Sequence, residues 1–139
     1  MKLTTTLIFG LLFLVTTSFN ASKDAGISFH SGNYAAAKKL SKQTGKTIFI
    51  DGYTEWCGPC KRMAKEVFTN PSVGQYFNAN FINVKMDMEK TDGMLVSRRY
   101  GVNFYPTLLF IRPNGQLIRK EVGFKNKTEL LNLARESNY

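Results

Sequence analysis

With 139 residues, 19 Lys and Arg against 10 Asp and Glu, the chain carries a formal charge of +9 and has only two cysteines and one histidine. This length suits one domain with a modest core, and two cysteines cannot supply a disulfide framework. The basic residues are dispersed as Lys38-Lys39, Lys61-Arg62, Arg98-Arg99 and Arg119-Lys120, with no basic stripe interleaved with aromatics, so a nucleic-acid partner is not expected. A solvated basic surface is the plain reading of the charge, and attraction to anionic membranes or acidic proteins is the other.

Met1-Lys2-Leu3 gives a short positive start, Leu7 to Val15 an apolar core, and Thr16, Thr17 and Ser18 a small polar stretch. This is the layout of a secretory signal peptide, and the core is short for a membrane span. Residues 1–21 are therefore expected to be removed and residues 22–139 to form one domain. Phe19 makes the cleavage point uncertain, and an uncleaved N-terminal anchor is the alternative.

Ile27-Ser28-Phe29-His30 alternates and predicts a short first strand, with His30 on its polar phase. Tyr34 to Thr44 places Tyr34, Ala37 and Leu40 at helical spacing, and Gly45 ends that helix. Thr47-Ile48-Phe49-Ile50 is continuously apolar and β-branched, a strand buried on both faces that runs to Tyr53. A helix follows through Val67, and Asn70-Pro71 breaks it and starts another with Val73 and Tyr76 inward. Phe81 to Met86 predicts a strand, and Thr91 to Tyr100 a helix with Asp92 and Arg98-Arg99 matching its dipole. Thr107–Ile111 and Gln116–Val122 flank a Pro113-Asn114-Gly115 hairpin turn. Asn126, three residues before Glu129, caps a last helix that turns Leu130, Leu131 and Leu133 inward.

Both cysteines lie in Trp56-Cys57-Gly58-Pro59-Cys60-Lys61, at the end of the buried strand and the start of a helix. A helix N-terminus presents unpaired N–H groups and partial positive charge, which favour a thiolate at Cys57. Cys60 comes one turn later, within disulfide reach. A structural disulfide would close too small a loop to stabilise much. A structural zinc site needs four Cys or His ligands and finds three. A redox-active dithiol accounts for the spacing best, with Cys57 as nucleophile and Cys60 resolving the mixed disulfide. Asp51, in an apolar strand, is either a strand-end carboxylate reaching water or a buried acid whose pKa burial raises.

The segment Ile50-Asp51-Gly52-Tyr53-Thr54-Glu55-Trp56-Cys57-Gly58-Pro59-Cys60-Lys61 resembles the active-site segment of the thioredoxins. The likeness continues through Val84-Lys85-Met86-Asp87, Tyr100-Gly101-Val102, Tyr105-Pro106-Thr107-Leu108-Leu109-Phe110 and Val122-Gly123, so it covers Thr47 to the C-terminus. Lys65 to Val73 is similar to a branch that includes the C-terminal periplasmic domain of the bacterial transmembrane thiol-disulfide interchange reductase. The resemblance implies an α/β thioredoxin fold, a central mixed sheet with helices on both faces. It implies Asp51 as proton acceptor for Cys60, Lys85 as its modulator and Pro106 in the cis form. It also implies a substrate groove of Trp56, Gly58, Pro59, Tyr105, Pro106 and Gly123, with Phe124 as a further candidate. No cofactor beyond the Cys57–Cys60 pair is expected. The implied activity is a monomeric, exported, periplasmic thiol–disulfide oxidoreductase that reduces protein disulfides and draws electrons from a membrane-embedded donor. A disulfide oxidase or isomerase, or a non-catalytic binding module, is the alternative. Gly52 and Tyr53 stand where thioredoxins carry bulkier aromatics, which implies looser packing over Asp51. Tyr105 replaces a branched aliphatic before Pro106, which leaves substrate choice open.

Overall fold

The computed structural model describes residues 26–31 and 33–138; the expected signal segment lies outside them. Local chemistry sets the element ends. Helix α1 (Tyr34–Thr44) starts where the Asn33 side chain accepts from Ala36 N–H and stops at Gly45, whose φ of 73° a glycine adopts without cost. Strand β1 (Thr47–Tyr53) leads into α2 (Gly58–Glu66), then α3 (Pro71–Asn80), whose N-cap Asn70 accepts from Ser72 and Val73. Strand β2 (Phe81–Asp87), helix α4 (Thr91–Tyr100), strands β3 (Thr107–Ile111) and β4 (Leu117–Val122), and helix α5 (Lys127–Glu136) complete the chain. Asn126 and Glu129 form a reciprocal capping box at α5.

The sheet order is β2-β1-β3-β4, with β1 parallel to β2 and antiparallel to β3, and β3 antiparallel to β4. β1 is therefore internal, and every residue from Thr47 to Gly52 is buried. Its side chains alternate between two cores. Ile48 and Ile50 pack with Ala37 of α1 and Val96 and Tyr100 of α4. Phe49 packs on the opposite face with Met63 of α2, Val73 and Phe77 of α3, and Leu130 and Ala134 of α5. Helices thus cover both faces, as expected. Among the described residues no helix is long and apolar enough to cross a membrane.

Three expectations are corrected. Ile27–His30 is not a strand of the sheet. Ile27 N–H donates to Phe68 O and Ser28 N–H to the Asn78 side chain, so only His30, donating to Asn83 O, bonds the backbone of β2. The segment is a strap held largely by side-chain amides instead of a ladder. The active-site helix begins at Gly58 and ends at Glu66, one residue short of Val67. In α3 the fully inward positions are Val73, Gly74 and Phe77, while Tyr76 is only partly buried. Gly74 permits this close approach, because a Cβ there would lie 2.3 Å from the Gly26 carbonyl carbon.

Candidate functional site

The parallel pairing of β1 and β2 brings their C-terminal ends together, with Tyr53 opposite Asp87. The active-site turn leaves β1 at this end. Cys57 is the N-cap of α2, and its Sγ accepts from Cys60 N–H at 3.2 Å. Cys57 N–H donates to Thr54 O, and Lys61 N–H donates to Cys57 O. The two cysteines form a disulfide with Cα atoms 5.3 Å apart. Both are 3% exposed, so in the oxidised form burial does not distinguish nucleophile from resolving residue. Cys57 is the residue that caps the helix, at the end where unpaired N–H groups favour negative charge. Gly58 and Pro59, both exposed, form the first helical turn between them.

Asp51 is 1% exposed, and neither carboxylate oxygen has a hydrogen-bond partner. Burial pushes its pKa up to about 7, while the charge of Lys85 pulls it down. Lys85 is the register partner of Asp51 on β2, and its Nζ stands 3.9 Å from Asp51 Oδ2 and 4.9 Å from the centre of the Tyr53 ring. Lys85 and Cys60 line one cavity of about 370 Å³, together with Tyr53, Thr54, Lys61 and Ala64. Gly52 itself is closely packed, on the face of β1 opposite to Asp51. A Cβ there would come within 2.6 Å of Met88 Cε and 2.9 Å of Thr107 O, so Met88 occupies the space an aromatic would take.

The remaining candidates fall into two linked pairs. Trp56 is 66% exposed and meets Tyr105 edge to face at 5.9 Å. The Tyr105–Pro106 peptide bond is cis, Pro106 is buried, and its carbonyl accepts from Gly123 N–H at 2.8 Å. Gly123 has a φ of 89°, a left-handed conformation suited to glycine. Phe124 is not an open groove floor: it packs against the α2–α3–α5 core, with the Arg62 guanidinium 4.6 Å from its ring centre.

Sequence reasoning missed the anchor of Trp56. Its indole N–H donates to Glu89 Oε1 at 2.9 Å, and Lys90 bridges Glu55 and Asp87. The signal was the charged run Asp87-Met88-Glu89-Lys90 after β2, informative only once β1 and β2 are known to be parallel neighbours. Among the described residues no group of three or more His, Cys, Asp or Glu side chains is placed to hold a metal ion. The arrangement offers thiol–disulfide exchange at a helix N-terminus, with a carboxyl group that titrates near neutrality on the strand leading into it.

Comparison with known proteins agrees with this chemistry. The solution structure of a proposed disulphide-isomerase from Bacteroides thetaiotaomicron is 42% identical, with a TM-score of 0.72, covering 85% of this chain and all of that one. Thioredoxin of Haemophilus influenzae is 34% identical over 64% of this chain and 78% of its own length. The thiol:disulfide interchange protein DsbD of Tatumella citrea is 28% identical over 84% of this chain, which spans only 21% of that larger protein. The family described as Thioredoxin-like matches residues 29–113. With that match over most of its length and a C-x-x-C pair closing the start of α2, the chain belongs to the thioredoxin-like family and is a thiol–disulfide oxidoreductase in type.

Proposed function

We propose that this protein is exported and reduces protein disulfides outside the cytoplasm, receiving its electrons from a membrane-embedded donor. The observation that carries the exchange chemistry is the pairing of a helix-capping Cys57–Cys60 disulfide with a buried Asp51 that lacks a hydrogen-bond partner and titrates near pH 7. In the forward reaction Cys57 thiolate attacks a substrate disulfide and forms a mixed disulfide. Cys60 then gives its proton to Asp51 and attacks the Cys57 sulfur, releasing the substrate thiolate. Trp56, Tyr105, Pro106 and Gly123 offer the surface on which an extended substrate segment lies against the Tyr105 backbone. The Gly58-Pro59 dipeptide, which goes with reducing couples in thioredoxins, supports the direction of electron flow. Similarity to the interchange protein supports both the location and the donor.

The deciding experiment is the equilibrium reduction potential of the Cys57–Cys60 pair, with insulin reduction as the activity assay. A potential near thioredoxin's, about −270 mV, is expected. A value near about −180 mV or higher would move the protein to the isomerases or oxidases, as the proposed activity of the Bacteroides neighbour would have it. No insulin reduction with a fully reducible pair would make it a binding module.

A further inference from the structure

Thr54 is fully buried, and its hydroxyl oxygen has no hydrogen-bond partner. Leaving a buried hydroxyl unsatisfied is costly, and a valine would fill the same volume without that cost. The backbone of this residue is fixed to the reactive turn, since its carbonyl accepts from Cys57 N–H at 3.2 Å. Thr54 also lines the cavity of about 370 Å³ that Cys60 and Lys85 share. One group bordering that cavity changes hydrogen-bonding character with redox state. In the disulfide, the Cys60 sulfur is a weak acceptor without a proton. On reduction it becomes a thiol, and as a thiolate it becomes a strong, charged acceptor.

We propose that the Thr54 hydroxyl is the hydrogen-bond partner of Cys60 in the reduced protein, donating to the Cys60 sulfur as it becomes a thiolate. This rests on the reading of Cys60 as the resolving cysteine. During resolution the Cys60 proton passes to the Asp51 carboxylate, and the hydroxyl holds the resulting negative charge. The sulfur's electron pair then forms the Cys57–Cys60 bond. The bond between Cys57 and substrate breaks, its electrons leave on the substrate thiolate, and the cysteine pair is oxidised as the substrate is reduced. The hydroxyl is released unpartnered, so the bond favours the reduced form over the disulfide.

The test compares wild type with Thr54→Val and Thr54→Ser in two measurements. The first is the rate of mixed-disulfide collapse by rapid quench from pH 6 to 9 (a span of about two units around an ordinary active-site thiol). Thr54→Val is expected to slow collapse roughly tenfold at pH 7, the loss of one hydrogen bond to a charged group. The deficit should close at high pH, and Thr54→Ser should recover to within about twofold. Tyr53, Glu55, Lys61 and Lys85 border the cavity and Asp51 lies beside Lys85; all are retained, so a difference between variants reports the hydroxyl. The second measurement is urea stability of the oxidised and reduced forms. Thr54→Val should leave the oxidised form at least as stable as wild type and selectively weaken the reduced form. Equal losses in both forms, or an unchanged pH profile, would overturn the proposal, as would an effect confined to Asp51 titration. If wild type reduces no disulfide, the functional reading fails instead, while the stability comparison still judges Thr54. Thr54→Ala replaces Thr54→Val if the latter does not fold.

Discussion

Asp51 and Lys85 are register partners on adjacent parallel strands, yet their charged atoms stand 3.9 Å apart, beyond hydrogen-bond reach. The lysine side chain is about one-third exposed and the carboxylate 1%. Desolvation of Asp51 therefore outweighs the attraction of Lys85, and its pKa rises from 3.8 to about 7.

That shift fixes a pH dependence of stability. The folded protein holds the Asp51 proton more tightly than the unfolded chain does, so stability falls as pH rises from about 4 to about 7 and levels off above. Asp51→Asn removes this contribution. The variant is expected to match wild type near pH 4 and to be more stable at pH 8, by on the order of a few kcal/mol at about 1.4 per pKa unit. Urea denaturation of the oxidised proteins at the two pH values measures it. A gain that is the same at both would detach the effect from Asp51 ionisation.

The same substitution should slow the collapse of a mixed disulfide by about 10²–10⁴-fold at pH 7, the usual loss when a general base is removed. Initial attack by Cys57 should change much less, because the start of α2 favours its thiolate. Stopped-flow reduction of a small disulfide separates the two phases. An unchanged second phase would make Asp51 a structural acid.

Removing the lysine should push the Asp51 pKa further in the same direction as burial does. Lys85 now lowers the Asp51 pKa, so Lys85→Met is expected to raise the titration midpoint. Carboxyl carbon NMR shifts of Asp51 read this directly, and a midpoint that stays put or falls would contradict it.

Single-cysteine variants should divide the labour. Cys60→Ser is expected to accumulate mixed disulfides with substrate, whereas Cys57→Ser should form few. At neutral pH the thiol of Cys60→Ser should alkylate faster than that of Cys57→Ser, although both cysteines are equally buried in the disulfide. The reverse order of alkylation would exchange the two roles.

Export is tested by fractionation and intact mass. The mature protein is expected outside the cytoplasm, beginning between Ser18 and Gly26. A membrane-bound form that keeps residues 1–17 would replace secretion by anchoring.

What was legible in the sequence was local. Asn70 and Asn126 announce helix starts, and Gly45 announces an end, because caps need only their own neighbours. The dithiol was legible from spacing alone. Its surroundings were not. The hydroxyl of Thr54 and the carboxylate of Glu89 gain meaning only from which strands are neighbours, and periodicity does not report strand order. Likewise the alternation of Ile27 to His30 suits an edge strand and a strap equally well. Remote partners, Phe68 O and Asn78, made it a strap.

That strap has a consequence for self-association. β2 and β4 are the two edges of the sheet. β4 carries Arg119, Lys120 and Glu121, charges that discourage another strand from adding to it. β2 has the opposite character: six of its seven residues are buried, with Phe81, Ile82, Val84 and Met86 among them. What guards it is the bond from His30 to Asn83, together with the amides of Asn78 and Asn83 that pin Gly26 and Ser28 beside it. Residues 26–30 thus cover this edge of the sheet and leave less of its backbone open to another strand. A chain beginning at Asn33 would keep its dithiol and lose its protection against edge-to-edge polymerisation.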